Sequence, residues 1–165
     1  MATISSRGEM VETHGELPDV GSAAPAFRLH RADLTPVTLE DYAGSRVVLN
    51  IFPSIDTPTC AKSVRQFNER ASAMPNTLVL NVSADLPFAL KRFCAAEGIH
   101  NVDSASVYRS PEFGKDYGVY MHEGRLGGLL ARAVVVIDED GKVIHNELVP
   151  EIAQEPDYEA VIRSL

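Results

Sequence analysis

The chain has 165 residues, a length typical of one domain, and its formal net charge is −8. Apolar residues make up 45% of the chain, which excludes the composition of a disordered protein. The acidic balance argues against nucleic-acid binding, which depends on clustered Lys and Arg. No apolar run reaches the roughly 20 residues that span a bilayer, and the N-terminus has no signal-peptide core. We therefore expect a cytoplasmic protein without a membrane partner.

The two cysteines, Cys60 and Cys94, are the most informative residues for function. Their wide separation excludes a C-x-x-C redox pair, and two cysteines are too few for a disulfide-rich secreted scaffold. Without a nearby histidine they also make a poor zinc site. In a reducing compartment three possibilities remain: inert core thiols, reactive thiols, or one of each.

The first half of the chain alternates strand and helix patterns. The predicted elements are a hairpin in residues 1–19, a strand at 25–30, a helical turn at 39–43, a strand at 47–52 and a helix that begins at Pro58. Pro53 ends the apolar strand before it, because proline cannot donate to a ladder. The helix has one apolar face, formed by residues at steps of three and four: Cys60, Val64, Phe67, Ala71 and Met74.

The second half continues the alternation and closes with a hairpin. The predicted elements are a strand at 77–83, helices at 86–97 and 110–118, strands at 102–107, 131–137 and 142–148, and a helix at 158–165. We expect Asp85 to cap the helix at 86–97 and Gly98 to stop it.

This order of elements predicts an α/β fold. Strands joined by helices run parallel, whereas the last two strands form an antiparallel hairpin. The arrangement is that of a thioredoxin-like fold, with a central mixed β-sheet flanked by helices and an N-terminal β-hairpin. We expect a single domain over residues 1–165, with residues 1–19 as a hairpin extension.

The position of Cys60 favours a reactive thiol. Thr57 is a good N-cap and Pro58 suits the first helical position, which makes Cys60 the third helical residue. Unpaired backbone N–H groups and the positive end of the helix dipole there stabilise a thiolate. The alternative is an inert core thiol, because Cys60 also lies on the apolar face of its helix.

The segment from Pro53 to Cys60 resembles the active-site loop of peroxiredoxins, whose pattern is P-x-x-x-[TS]-x-x-C. The longer string FPSIDTPTC resembles the thiol peroxidase subfamily, an atypical 2-Cys type of peroxiredoxin. SADLPFALKRFC, which ends at Cys94, and the later strings ARAVVVIDEDGKV and EPDYEAV are also similar to that subfamily. The resemblance extends from about Val20 to the C-terminus.

The resemblance implies roles for four residues around the reacting sulfur. Cys60 would be the peroxidatic cysteine, and Thr57 would direct its hydroxyl at the sulfur and the peroxide. Pro53 would shield the thiolate from water. Arg132 would keep Cys60 ionised and stabilise charge on the departing oxygen. Without the resemblance, the sequence favours an ordinary arginine in a surface ion pair at position 132. Thr57 could then be an N-cap residue only.

The resemblance also implies that Cys94 is the resolving cysteine, which forms an intramolecular disulfide with Cys60 that thioredoxin reduces. Because both cysteines are predicted in helices, we expect both helices to unwind partly when the bond forms. The implied substrates are hydrogen peroxide and organic (alkyl) hydroperoxides, the implied state is a homodimer, and no metal, haem or flavin is needed. The implied role is antioxidant defence and redox homeostasis.

Two other functions remain open on the same fold. One is a thiol-disulfide oxidoreductase, against which the missing C-x-x-C motif argues. The other is a non-catalytic redox sensor with an unreactive Cys60. The glycine-rich segment 124–128 lacks a phosphate-binding pattern, and we expect it to form a flexible loop near the pocket.

Overall fold

The computed structural model describes residues 2–165. Within this range, the strands are β1 (Thr3–Ser6), β2 (Glu9–His14), β3 (Arg28–Arg31), β4 (Pro36–Thr38), β5 (Arg46–Ile51), β6 (Thr77–Ser83), β7 (Asp103–Ser106), β8 (Tyr120–Met121), β9 (Ala133–Ile137) and β10 (Val143–Leu148). The α-helices are α1 (Pro58–Arg70), α2 (Pro87–Glu97), α3 (Glu112–Asp116) and α4 (Tyr158–Ser164). None of these helices is both long enough and apolar enough to cross a membrane.

The main sheet has seven strands in the order β10-β9-β5-β6-β7-β3-β4. Strands β5, β6 and β7 are parallel, as their helical crossovers require, whereas β9 runs antiparallel to β5 and forms a hairpin with β10. A second sheet joins the N-terminal hairpin β1-β2 to β8. The predicted mixed sheet and the predicted N-terminal hairpin are therefore confirmed.

The central strands are apolar on both faces because the sheet is covered on both sides. Val47, Val48 and Leu49 of β5 have no exposed surface. On α1, the predicted apolar face is buried at Cys60, Val64 and Phe67. The α-helix ends earlier than its apolar pattern, at Arg70, and residues Ala71–Ala73 continue as one turn of 3₁₀-helix.

Two short strands are absent from the sequence prediction. Strand β4 has three residues, begins at Pro36 and lies at the edge of the main sheet. Strand β8 has two residues and pairs with β2. Strands this short contain too few residues to show an alternating pattern, so their positions depend on the strands beside them.

Several predicted boundaries need correction: β3 begins at Arg28 rather than at residue 25, and α3 spans Glu112–Asp116 rather than residues 110–118. Leu86, not Asp85, is the N-cap residue of α2, because the Asp85 carboxylate is occupied by other partners described below. Arg132 lies just before β9, which begins at Ala133. The predicted stop of α2 is confirmed: Gly98 has φ +65°, and its N–H donates to the carbonyl of Cys94.

Candidate active site

Cys60 lies in the first turn of α1, directly after the loop that leaves the carboxyl end of β5. Thr57 is the N-cap residue and Pro58 begins the helix, as the sequence predicts. The Cys60 side chain is fully buried in an apolar cluster that includes Phe52, Ile55 and Val64. The sulfur therefore sits near the positive end of the helix dipole and away from bulk water.

The polar partner of this sulfur is Arg132, which is only 2% exposed. Its Nη2 donates to Cys60 Sγ at 3.2 Å, and its Nε donates to the Ile152 carbonyl at 2.9 Å. The guanidinium therefore places a positive charge and a hydrogen-bond donor directly against the sulfur. The burial of Arg132 excludes the alternative of a surface ion pair.

One nitrogen of the Arg132 guanidinium group is left without a hydrogen-bond partner among the described residues. Within residues 2–165, its buried Nη1 has no hydrogen-bond partner. A buried charged donor without a partner is costly, so such a group commonly marks a place where a ligand atom binds. Arg132 is thus able to hold the sulfur with one nitrogen and a ligand oxygen with another.

Thr57 has a different partner from the one that the resemblance implies. Its Oγ1 donates to the Ser54 carbonyl at 3.0 Å and makes no side-chain cap to the helix. This bond fixes the direction of the hydroxyl and leaves the oxygen lone pairs free to accept a hydrogen bond.

A cavity of about 230 Å³ opens beside these residues, and Pro53, Thr57 and Arg132 all line it. Cys60 does not itself line the cavity but contacts Arg132, which does. The glycine-rich segment contributes Arg125 and Leu126 to the same cavity, which agrees with the expected position of that loop. Among residues 2–165, no cluster of three or more His, Cys, Asp or Glu side chains is placed to hold a metal ion.

Cys94 lies on α2 and packs at the edge of the same apolar cluster that buries Cys60. It is half-buried, and its Sγ lies 3.7 Å from the hydroxyl oxygen of Ser104. Burial raises the pKa of the Cys94 thiol, and the Ser104 hydrogen bond opposes that effect. Both cysteines are free thiols in this structure.

A row of buried polar residues, which the sequence analysis missed, crosses the sheet beneath the two cysteine-bearing helices. Asn50, Asn81 and Ser104 are direct neighbours across β5, β6 and β7. Asn50 Nδ2 donates to Asn81 Oδ1 at 2.9 Å, and Asn81 Nδ2 donates to Ser104 Oγ at 3.4 Å. A lone asparagine inside each of two apolar strands is the sequence signal that could have revealed this row.

The row continues to Cys60 through Ser63 of α1. Asn50 Nδ2 also donates to Ser63 Oγ at 3.2 Å, and that hydroxyl donates to the Cys60 carbonyl at 2.8 Å. With the contact between Ser104 and Cys94, these bonds form a continuous chain between the two cysteines, which we call the polar ladder. Its members are Ser63, Asn50, Asn81 and Ser104.

Asp85 has a further role that its sequence position did not indicate. Its carboxylate accepts hydrogen bonds from the Ser54 hydroxyl at 2.8 Å, the Ile55 N–H at 2.7 Å and the Ser83 hydroxyl at 2.7 Å. Asp85 follows β6, so it ties the loop before Cys60 to the neighbouring strand. A charged acceptor with three donors holds that loop more firmly than neutral hydrogen bonds would.

The thioredoxin-like fold and the buried contact between a cysteine sulfur and a guanidinium group can be compared with those of known protein families. Residues 19–162 match the family model described as Redoxin, and the chain belongs to that family. A crystal structure of a peroxiredoxin-like protein from Aquifex aeolicus superposes with a TM-score of 0.92 at 41% identity. That match covers 98% of this chain and 94% of the other, and it confirms the thioredoxin-like fold.

Curated relatives narrow the class further. The chain is 58% identical to the thiol peroxidase of Mycobacterium tuberculosis, over 100% of this chain and 99% of the relative. It is 51% identical to the thiol peroxidase of Corynebacterium glutamicum over the same shares. The resemblance to thiol peroxidases is therefore confirmed, and the enzyme class is that of a peroxiredoxin-type peroxidase.

Proposed function

We propose that the protein reduces hydrogen peroxide and organic hydroperoxides to water and alcohols, with Cys60 as the peroxidatic cysteine. The observation that carries this proposal is the 3.2 Å contact between Arg132 Nη2 and the Cys60 sulfur in a buried site. The thiolate attacks the terminal peroxide oxygen, and the O–O bond breaks. The sulfur loses two electrons and becomes a sulfenic acid, while the leaving alkoxide or hydroxide takes up a proton.

The residues around the sulfur support this first step. We infer that Arg132 Nη1, which has no hydrogen-bond partner within residues 2–165, donates to a peroxide oxygen and stabilises its developing charge. The Thr57 hydroxyl already donates to Ser54, so its free lone pairs can accept the peroxide O–H. Pro53 covers one side of the cavity and lacks an N–H that would compete for the substrate.

We assign Cys94 to the second step, the resolution of the sulfenic acid. Its thiol sulfur attacks the Cys60 sulfur, and the hydroxyl of the sulfenic acid leaves as water with the thiol proton. The product is an intramolecular disulfide between Cys60 and Cys94. Both cysteines border one apolar cluster, which supports the pairing, and both lie in helices that must open to bring the sulfurs together.

We infer that thioredoxin, an external dithiol protein, reduces this disulfide by thiol–disulfide exchange and returns both cysteines to thiols. Such a cycle requires a reducing compartment, so we place the protein in the cytoplasm. The cycle would serve antioxidant defence and redox homeostasis.

We also infer a homodimer, with an interface beside the active site. Leu86 and Phe88 support this inference: they are 55% and 66% exposed at the start of α2, next to the Asp85 that holds the active-site loop. Light scattering should give a dimer mass for the wild-type chain and a monomer mass for Phe88→Glu. Lys91→Glu, a charge change on the same helix, is the matched control, and a monomeric wild-type chain would contradict the inference.

The test is a stopped-flow reaction of the reduced protein with cumene hydroperoxide, followed by thiol blocking and intact mass measurement. The expected product has lost two hydrogens and has no blocked thiol. Cys60→Ser should not react, and Cys94→Ser should stop at a sulfenic acid that thioredoxin cannot recycle. Reduction of insulin disulfides without peroxide consumption would instead indicate a thiol-disulfide oxidoreductase. Two free, unreactive thiols would indicate a non-catalytic protein.

A further inference from the structure

The cavity at the active site is built from four separate segments of the chain. Two of them are the loop and first residues of α1 and the turn between β1 and β2. The loop after β8 and the segment after β10 complete it. The lining residues are Ser6, Arg7, Pro53, Thr57, Pro58, Thr59, Arg125, Leu126, Arg132, Glu151, Ile152 and Ala153. The N-terminal hairpin is therefore part of the wall of the substrate cavity.

The charge on these walls is positive, although the chain as a whole is acidic. Three guanidinium groups line the cavity, at Arg7, Arg125 and Arg132, against the single carboxylate of Glu151. The ion pairs of residues 2–165 include neither Arg7 nor Arg125. Neither guanidinium group therefore forms a salt bridge with a carboxylate within residues 2–165.

The three arginines lie at different depths. Arg132 is buried at the inner end, whereas Arg7 and Arg125 are exposed at the entrance. Arg125 is held across the entrance, because its Nη2 donates to the Ser6 hydroxyl at 3.1 Å. Apolar side chains, among them Pro53, Leu126 and Ile152, occupy the same walls. The cavity therefore offers a positive entrance, an apolar wall and a second positive group beside the reactive sulfur.

We propose that this cavity prefers organic hydroperoxides that carry a carboxylate, with Arg7 and Arg125 as the residues that determine the preference. The proposal rests on the function proposed above. The hydroperoxide end of such a substrate reaches Arg132 and Cys60, its hydrocarbon part contacts the apolar wall, and its carboxylate stays at the entrance with the two exposed guanidinium groups. Guanidinium groups are well suited to this task, because their donors match the geometry of a carboxylate.

The test compares three hydroperoxides that share one reactive group. They are cumene hydroperoxide, its para-carboxylate and its para-carboxamide, of which the carboxamide matches the carboxylate in size but lacks its charge. The measured quantity is the ratio of the second-order rate constants for carboxylate and carboxamide. Charged clefts raise association rates by about 10-fold or more, so we expect a ratio of about 10 at low ionic strength. The ratio should approach 1 in about 1 M salt, where the Debye length is about 3 Å.

The variant Arg7→Gln/Arg125→Gln should lower the ratio to about 1, and Arg7→Lys/Arg125→Lys should retain it, because lysine keeps the charge. A matched control, Arg28→Gln/Arg163→Gln, removes two exposed positive charges that do not line the cavity. A general loss of activity cancels in the ratio. If the glutamine variant fails to fold, the salt dependence of the wild-type ratio still tests the proposal.

The outcomes separate this inference from the proposed function. No reaction with any of the three hydroperoxides would contradict the proposed peroxidase function. Fast reaction with all three at equal rates would overturn the inference alone. An equal loss of preference in the control variant would also overturn it, because the effect would then follow net charge rather than the entrance arginines.

Discussion

The Cys60 carbonyl and the Cys94 thiol are joined by the polar ladder, which crosses three neighbouring strands of the central sheet. All four ladder residues are buried. Leaving a buried polar group without its partner costs about 1–3 kcal/mol, so the ladder stabilises the arrangement in which both cysteine-bearing helices are fully formed. The disulfide proposed between Cys60 and Cys94 would break it at the Cys94 end.

Removal of Ser104, the ladder residue that contacts Cys94, should therefore change the pKa of the Cys94 thiol. In Ser104→Ala, the hydrogen bond that opposes the effect of burial is lost, and the pKa of the Cys94 thiol should rise further. In a Cys60→Ser background, iodoacetamide should then alkylate Cys94 more slowly at neutral pH. Ser106→Ala, a buried serine on the same strand with a different partner, is the control. Equal alkylation rates in the two variants would contradict the role of Ser104.

Arg132→Gln should lower the second-order rate constant with hydrogen peroxide by about 100-fold, the usual effect of losing one donor to a developing oxyanion. The variant removes the charge beside Cys60 and the free Nη1 donor together. Stopped-flow kinetics measure the rate, and circular dichroism checks the fold. Arg163→Gln, an exposed arginine on α4, should react as fast as the wild type. An unchanged rate in a folded Arg132→Gln variant would make Arg132 a structural residue.

Asp85→Asn should loosen the loop that precedes Cys60. The neutral amide loses the charge that three donors share, so we expect the free energy of unfolding to fall by about 1–3 kcal/mol and the peroxide reaction to slow. Urea denaturation and stopped-flow kinetics measure the two effects. Asp56→Asn is the matched control, because Asp56 lies in the same loop with one exposed ion pair to Arg92. Similar behaviour of both variants would count against Asp85 as the anchor.

Oxidation should open both helices locally. Cys60 lies in the first turn of α1, and the Cys94 carbonyl accepts from Gly98 N–H and Ile99 N–H at the end of α2. Amide hydrogen exchange should be faster around both cysteines in the disulfide form than in the reduced form, with α4 as an internal control. Equal protection in the two redox states would mean that the sulfurs meet without unwinding.

The stability of the reduced protein should depend on Cys94 in mildly alkaline solution. Burial raises the pKa of this thiol, so the folded protein keeps the proton at a pH where the unfolded chain has lost it. The stabilisation is full below the ordinary thiol pKa and is lost as pH rises. Urea denaturation from about pH 7.5 to about pH 9.5, below the ordinary tyrosine pKa of about 10, measures the decline.

Cys94→Ser is the comparison for that measurement, because it keeps Cys60 and every tyrosine. Its free energy of unfolding should decline less across the same pH range than that of the wild type. Parallel declines in the two proteins would show that other groups cause the pH dependence.

The sequence by itself determined the local features of the fold, which depend only on residues that are neighbours along the chain. The β-branched run of β5, the start of α1 at Thr57 and Pro58, and the glycine stop of α2 follow from backbone preferences and side-chain periodicity over a few residues. The position of Cys60 in the first helical turn belongs to this group. Helix termini create their own electrostatics, so a reactive thiol could be expected before any fold was known.

Only the tertiary structure decided which distant residues meet. Arg132 is 72 positions from Cys60, and the 3.2 Å contact between them depends on β9 pairing antiparallel with β5. Local rules predict Asp85 as a helix cap, because they cannot reveal donors that lie about 30 positions away on another loop. The polar ladder likewise requires the register of three strands. Strand order and register are set by burial of the whole sheet, and no short segment contains that information.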